Sequence, residues 1–567
     1  MRIALLTEGT QSYAQRAGGW PGRLAAGLPE HEFQRYALLS GQGPAPAREE
    51  PGSHTLALRG PRPAGRGPGA VRRRQYVVAY EQLVRALVVP RERADFAVGL
   101  YRLAELARED GALPAFLASG AAQRVLEKAW RSPGADTAAG QPLVRDVLVA
   151  GDLLEQCLRP LSAPWYAGGL GEVDLCHVLS GGPAALPALL AKRLYGVPFV
   201  LTERGLHLRE QYLGYRHAPY RWPVRALLLA FFRLLTEETY RQAAVLTPGS
   251  AYDQEWQRRC GAAPERIRVV YEGTEAVDRP AAGPEPEHPT LVWAGTLEPG
   301  SDPELMLHAF ARVRAELPQA RLRMYGVEGP PRYLEHCLAV AGRLGLSTAV
   351  RSGEGAPGEA EPAVVFAGRP AAPADAWERA TVVVFSARAH RVPRLPVDAM
   401  LSGRALVATD VGVLREVVGP AGLVLPPGDP QGLAVACLAL LGDEERRSRL
   451  GLAGRLRVQE RFAVEPAVTA FREIYLEVVS RWPAFPCDDR RAGAVPQPFA
   501  RPAEFWVAGR SAATPSDGPA ESGAEAGEAV GSSAGPGGTA PQPRPDEELA
   551  VAADTDRAPA QVMAQAL

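Results

Sequence analysis

Short apolar runs bounded by turn residues recur along the chain and alternate with segments of helical period. Ile3–Leu6, Arg35–Leu39, Leu175–Leu179, Phe199–Thr202, Val245–Thr247 and Ile267–Tyr271 predict buried strands. A second series follows at Leu291–Ala294, Leu322–Tyr325, Val364–Ala367, Val382–Phe385 and Leu406–Thr409. Helical periodicity falls between strands at Val77–Leu87, Pro183–Leu194, Glu304–Leu317 and Leu433–Leu441. Strands that are apolar throughout and separated by helices imply parallel sheets covered on both faces. Two such series predict an α/β protein with two Rossmann-like domains.

The first domain is expected over residues 1–280, with a mainly helical insertion at about 75–158. The second is expected over 289–465, after the Pro-rich connector DRPAAGPEPEHP at Asp278–Pro289. Arg59, Arg62, Arg66 and Arg72–Arg74 fall in a Gly/Pro-rich stretch that reads as a solvated loop rather than a phosphate site. Residues 486–567 are rich in Ala, Gly, Pro, Ser and Glu without a sustained apolar period, so a mostly disordered tail is expected. The Asp554-Thr555-Asp556 triplet inside it reads as chance.

Composition narrows the function. Lys and Arg number 63 against 64 Asp and Glu in 567 residues, a net charge of -1, which excludes a strongly basic nucleic-acid binder. Lys128 and Lys192 are the only lysines, an arginine skew that says more about coding than about chemistry. Six cysteines without a C-x-x-C pair argue against a zinc site or a disulfide framework and fit a reducing, cytoplasmic setting. The longest apolar stretch, around Leu227–Leu235, is broken by Arg225 and Arg233 and falls short of the ~20 residues that span a bilayer. No G-x-x-x-x-G-K loop or G-x-S-x-G elbow occurs, which argues against an NTPase and an α/β-hydrolase.

In doubly wound sheets, ligands bind beyond the carboxyl ends of the strands, often against helix N-termini. Four such ends carry candidate chemistry: Glu8-Gly9-Thr10, Glu203-Arg204-Gly205 with His207 beyond it, Gly295-Thr296, and the segment from Ser386 to Met400. Taken singly, each is an ordinary strand-to-helix turn. Facing one another across two domains, they would form a cleft suited to a nucleotide-linked substrate. His177 reads as a core histidine more readily than as a ligand.

The order of these pieces resembles the GT-B glycosyltransferases of retaining family four, and within it the bacterial branch of the Pel exopolysaccharide glycosyltransferase. The resemblance covers roughly residues 1–480. It rests on MRIALLTEGT, GLPEHEF, GVPFVLTERG, DAMLSGRALVATDVGVLREVVGPAGLVLPPGDP and ERFAVEPAVTAFREIYLEV. The last piece resembles the helix, here 466–482, that crosses back to the first domain in that fold. The resemblance implies a nucleotide diphosphate-sugar on the second domain and a glycan acceptor on the first. It implies no metal and no cofactor, because preorganised cations and backbone N–H groups stabilise the departing diphosphate. Nor does it imply a nucleic-acid partner. Peripheral association with a polysaccharide assembly complex fits the same family.

The family's donor residues are altered here. Its Arg and Lys positions correspond to Thr296 and Ser301, its first Glu to His390 beside Arg391, and its second Glu to the shorter Asp398. Arg204 stands where close relatives often carry His. Two readings follow, and both stay open at the level of sequence. Arg388, Arg391 and Arg394 replace the lost cations and Asp398 still reaches the ribose, or the site has lapsed and the fold serves as a scaffold.

Overall fold

The computed structural model describes residues 1–9, 19–40, 52–59, 67–136, 138–216, 218–274, 280–330, 332–351, 362–370, 372–388 and 394–481. Thr10, His390 and Arg391 lie outside these residues. So do Arg62, Arg66, the start of the Asp278–Pro289 connector and the whole of 486–567.

The first sheet contains β1 (Arg2–Gly9), β2 (Glu32–Leu39), β3 (Ser53–Ala57), β4 (Leu175–Val178), β5 (Phe199–Glu203) and β6 (Val245–Pro248). All pairs are parallel, in the order β3-β2-β1-β4-β5-β6. Period-two alternation sorts the central strands onto two faces. Ala4, Leu6, Cys176 and Val178 face the long helices inserted between β3 and β4. Ile3, Leu5, Leu175 and Val200 face the helices Trp20–Gly27 and Val464–Arg481. Both faces are buried, which is why these strands read as unbroken apolar runs.

The second sheet contains β7 (Thr290–Leu297), β8 (Arg321–Glu328), β9 (Thr348–Val350), β10 (Val364–Phe366), β11 (Val382–Phe385), β12 (Ala405–Thr409) and β13 (Leu423–Leu425). It is again parallel throughout, in the order β13-β12-β11-β7-β8-β10-β9. Leu291 and Trp293 pack under Pro303–Glu316 and Pro430–Leu441, while Val292 and Ala294 pack against the opposite layer with Val397, Leu414 and Phe462. The chain therefore folds as two parallel-sheet Rossmann-like domains, the GT-B arrangement.

The structure corrects two local expectations and adds three short strands. Ile267–Tyr271 is not a strand; only an isolated bridge joins Ile267 to Leu246. Arg72–Arg74 lie on the helix Ala70–Val88 and not in a loop. The strands β3, β9 and β13, of five, three and three residues, are too short to show in the sequence pattern.

The chain passes between the two domains twice, and the passages lie side by side. Thr274 N–H donates to Phe462 O at 2.6 Å, and Thr274 bridges Ala463. A Cβ on Gly273 would stand 2.4 Å from Val464 Cα and 2.6 Å from Ala463 O, so no other residue fits there without moving backbone. The helix Val464–Arg481 then returns to the first sheet, where Tyr475 Oη meets His177 Nδ1 at 2.6 Å and Thr202 Oγ1 meets His177 Nε2 at 2.7 Å. Among the described residues, no helix is long and apolar enough to cross a membrane.

Candidate functional site

In each sheet the strand order reverses beside the central strand, between β1 and β4 in one and between β7 and β11 in the other. Loops leaving the two strands at such a point diverge and open a crevice. The sequence-selected residues distribute over both crevices and over the cleft between the domains.

In the second domain, the loops after β7 and β11 are stitched together. Trp293 Nε1 donates to Ser386 Oγ at 2.8 Å, Ser386 Oγ donates to Asp302 O at 2.7 Å, and Arg388 N donates to Gly300 O at 2.9 Å. Asp302 takes a left-handed conformation (φ 49°) and caps Pro303–Glu316 through Leu305 N–H. Its second carboxylate oxygen holds Arg388. Arg388, 60% exposed along its side chain, pairs with Asp302 and is not among the residues that line the interdomain cavity. Gly295 and Thr296 sit half-buried at the end of β7. Arg394 is exposed at the start of the helix Arg394–Leu401, and Asp398 is buried one turn later.

The cavity between the domains encloses about 690 Å³ of empty space, part of it open to solvent. Arg23 and Arg204 of the first domain and Arg394 of the second line it, together with Asp253, Glu272 and Glu416. Glu272 holds two of the arginines, Arg204 Nη1 at 2.7 Å and Arg23 Nη2 at 3.1 Å. Glu416 reaches across from the second domain to the N-terminus of the helix Ala251–Arg259. It accepts from Ala251 N–H at 2.9 Å, Tyr252 N–H at 3.3 Å and Tyr271 Oη at 2.6 Å. A carboxylate on a helix N-terminus is favourably placed by the dipole and the unpaired N–H groups. Burial pushes Asp253 up to about 6 against the hydrogen bond from Ser250.

Arg204 was selected from sequence; Arg23, Asp253, Glu272 and Glu416 were not. Arg23 sits mid-helix with no local motif, and Glu272 follows Ile267–Tyr271, which the pattern assigned to a strand. Only the fold brings them together.

The first-domain crevice holds a separate, buried group. Glu203 accepts from Tyr240 Oη at 2.5 Å, Gln257 Nε2 at 2.9 Å and His207 N–H at 3.4 Å. Burial nevertheless dominates these bonds and pushes its carboxyl up to about 7. Glu8, at the end of β1, is likewise raised to about 7, chiefly by burial and against the Ala184 amide. His207 is pushed down to about 4 and His177 to about 3, both by burial. Gly9 and Gly205 flank the group, and Gly205 (φ 122°) needs glycine's freedom.

These shifts set opposite limbs of a stability profile. Above its unfolded pKa near 4.5, Glu203 increasingly disfavours the folded state until it ionises near 7. His177, neutral in the fold, costs stability as pH falls from about 6.5 towards 3. Melting temperature should therefore peak near pH 5–6 and decline on both sides. Glu203→Gln should make the alkaline limb shallower, with Glu8 still contributing to it, and recover roughly 2–3 kcal/mol at pH 8 relative to pH 5. A melting series from pH 4 to 9 in which wild type and variant run parallel would refute this account of Glu203.

Comparison with known proteins adds likenesses over parts of the chain. The family Glycosyl transferases group 1 matches residues 288–443, which hold most of the second sheet, and Domain of unknown function (DUF3492) matches residues 1–265. Residues 288–443 are thus similar to the group 1 glycosyl transferases. The D-inositol 3-phosphate glycosyltransferase of Thermobispora bispora is 27% identical to this GT-B chain over 311 residues, covering 52% of the chain and 68% of that protein. Its namesake from Streptomyces bingchenggensis is 27% identical over 244 residues, 39% of the chain and 50% of that protein. The chain thus spans about half to two thirds of the length of these relatives. The structure of Anabaena Alr3699/HepE in complex with UDP overlays with a TM-score of 0.51 at 14% identity, covering 84% of the chain and all of that structure. At that identity the overlay establishes the GT-B fold alone. Among the described residues, no group of three or more His, Cys, Asp and Glu side chains is arranged to hold a metal ion.

Proposed function

We propose that this GT-B protein transfers a sugar from a nucleotide diphosphate-sugar to a polysaccharide or glycoconjugate acceptor with retention of configuration. The reading carries with it membership of retaining family four and the branch that resembles the Pel exopolysaccharide glycosyltransferase. It rests on one observation above the others: arginines from both domains, Arg23, Arg204 and Arg394, converge on a cavity of about 690 Å³ at the strand ends. The UDP complex of the similarly folded Anabaena protein supports a nucleotide ligand for such a cleft.

The chemistry follows from charge. As the bond between the anomeric carbon and the phosphate oxygen lengthens, negative charge builds on the departing diphosphate and positive charge on the sugar ring. Guanidinium groups already in place stabilise that separation without reorganising. Arg23 and Arg204 are oriented by Glu272, so a diphosphate would offer them a second anionic partner. In this reading Gly295, Thr296, Arg388, His390, Arg391, Arg394 and Asp398 form the donor side, with Asp398 directed to the ribose. Glu8, Gly9, Thr10, Glu203, Arg204, Gly205 and His207 belong to the acceptor side or to the cleft, where Arg204 meets the diphosphate.

Calorimetry with UDP, GDP and ADP, their sugars and the parent nucleosides tests the proposal. Diphosphates should bind more tightly than nucleosides, and the preference should weaken with salt. Arg204→Ala, Arg394→Ala and Arg391→Ala should each cost at least ~1.4 kcal/mol, a factor of ten, with diphosphates. Asp398→Ala should weaken nucleosides and diphosphates alike. Absence of binding for every nucleotide would overturn the transferase reading in favour of a scaffold of the same fold.

A further inference from the structure

Exposed apolar side chains scattered singly are ordinary on a protein surface, whereas a cluster of them marks a contact. Four gather at one place on the first domain, Leu143, Val144, Leu148 and Trp222, each between 45% and 65% exposed. Val144 and Leu148 stand one turn apart on the helix Val144–Leu158, on the side away from the buried Val147, Ala150 and Leu154. Trp222 opens the helix Trp222–Gln242, and among the described residues it is the one exposed tryptophan. A single carboxylate oxygen brings the two helix starts together. Asp146 Oδ2 accepts from Leu143 N–H at 2.8 Å and from Arg221 Nη1. None of these side chains lines the interdomain cavity.

Cations rim the cluster. Arg145 and Arg216 are exposed and meet no partner among the described residues, while Arg221 neutralises the buried Asp146. The loop that carries Arg216 is fixed from below. Arg225 donates to the carbonyls of Tyr220 at 2.6 Å, of Arg216 at 3.2 Å and of Ala218. Asp152, one turn beyond Leu148, is the exposed carboxylate on the same helix face and is itself engaged. Both helices also begin at the cluster, so each presents the positive end of its dipole there.

This combination selects the partner. A second copy seated on the patch by two-fold symmetry would bring like guanidinium groups face to face. Single-stranded nucleic acid needs successive aromatic faces for its bases, and three of the four apolar groups here are aliphatic. A bilayer with anionic headgroups suits every part. Tryptophan sits at the boundary between headgroups and acyl chains, Leu and Val enter the outer acyl region, and arginines meet the lipid phosphates.

We propose that Leu143, Val144, Leu148 and Trp222, with Arg145, Arg216 and Arg221, form a surface that docks the first domain on an anionic lipid bilayer. The docking is peripheral, since no helix among the described residues is long and apolar enough to cross. It stands apart from the transferase reading, because the surface needs neither donor nor turnover.

Flotation of the full chain with phosphatidylcholine vesicles, alone or with about one third phosphatidylglycerol, tests the surface. The chain should float with the anionic vesicles about fivefold or more above the neutral ones, and high salt should release it. Val144→Glu, Trp222→Ala and the double variant Arg145→Glu with Arg216→Glu should each cut the bound fraction about fivefold or more. Leu456→Glu, at an exposed position of the second domain, should leave it unchanged. Tryptophan fluorescence should shift to the blue on anionic vesicles, and Trp222→Phe should remove the shift. A thermal melt checks that each variant is folded, and Leu148→Ser replaces any that is not. Absence of vesicle binding, equal binding to neutral and anionic vesicles, or indifference of folded variants would each overturn the proposal. Self-association that Trp222→Ala abolishes, without vesicle binding, would assign the patch to a second copy instead. Nucleotide affinity by calorimetry should be the same in every variant. Failure of the wild type to bind any nucleotide would overturn the transferase reading and leave the lipid result standing.

Discussion

Phe471→Ala is expected to lower the stability of the first domain by about 3–5 kcal/mol, the range for emptying a fully enclosed aromatic site. Phe471 is 1% exposed and stands among Trp20, His177 and Tyr475, at ring distances of 6.0, 5.0 and 5.9 Å. The aliphatic wall around it is Ile3, Leu5, Leu24 and Val200. Ile3, Leu5 and Val200 are held by β1 and β5 and Leu24 by the helix Trp20–Gly27, so the surrounding backbone cannot move in to fill the gap. Hydrogen exchange resolved by peptide is the suitable readout, since the loss should concentrate in β1, β4 and the helix Val464–Arg481. Leu476→Ala, one residue beyond Tyr475 and 55% exposed, should change stability by no more than about 0.5 kcal/mol. Equal effects at the two positions would mean that the returning helix is not docked as described.

Glu155→Ala should be comparably damaging for a different reason. Glu155 and Arg159 lie one helical turn apart and pair through two bonds, Arg159 Nε to Oε1 at 2.8 Å and Nη2 to Oε2 at 3.0 Å. Both are buried, and Arg159 Nη1 also donates to Ala57 O at 3.3 Å, at the end of β3. Removing the carboxylate takes two charge-assisted bonds from a buried guanidinium, at a cost of roughly 3–5 kcal/mol. Glu155→Gln retains an acceptor and should lose less. Because the pair is shielded, raising the salt from 0.05 to 0.5 M should leave the difference between wild type and variant unchanged, as measured by denaturant melts. A difference that shrinks with salt would place the pair in solvent.

The central strands were legible because burial on both faces writes itself as an unbroken apolar run. Leu5 and Leu6 point to opposite layers, and both layers are dry. Edge strands lack that double burial; β9 and β13 are half-exposed or exposed along their length, and β3 is half-buried throughout. Their pairing is a property of the sheet and not of the segment. The same division holds at the site. Glu8, Glu203 and His207 follow recognisable strand ends, whereas Arg23 and Glu416 act through positions that only the packing of two domains defines. Arg388 shows what a local pattern leaves out. A basic residue in a promising loop is engaged by Asp302, 86 positions earlier, a partner that no local reading could supply.

The two adjacent passages at Gly273–Thr274 and Phe462–Val464 make the second domain a guest inserted into the first. During synthesis, the host's sheet is complete once β6 has been made, yet its Ile3–Leu5–Leu175–Val200 face is covered only by the helix Trp20–Gly27 until the helix Val464–Arg481 emerges. Some two hundred residues of guest must be made in the interval. A nascent chain halted there would hold an apolar sheet face open to whatever is nearby, the kind of surface that chaperones bind and that aggregates grow from. The guest carries its own cores and can fold while the host waits. In this molecule the domain that begins first is the one that closes last.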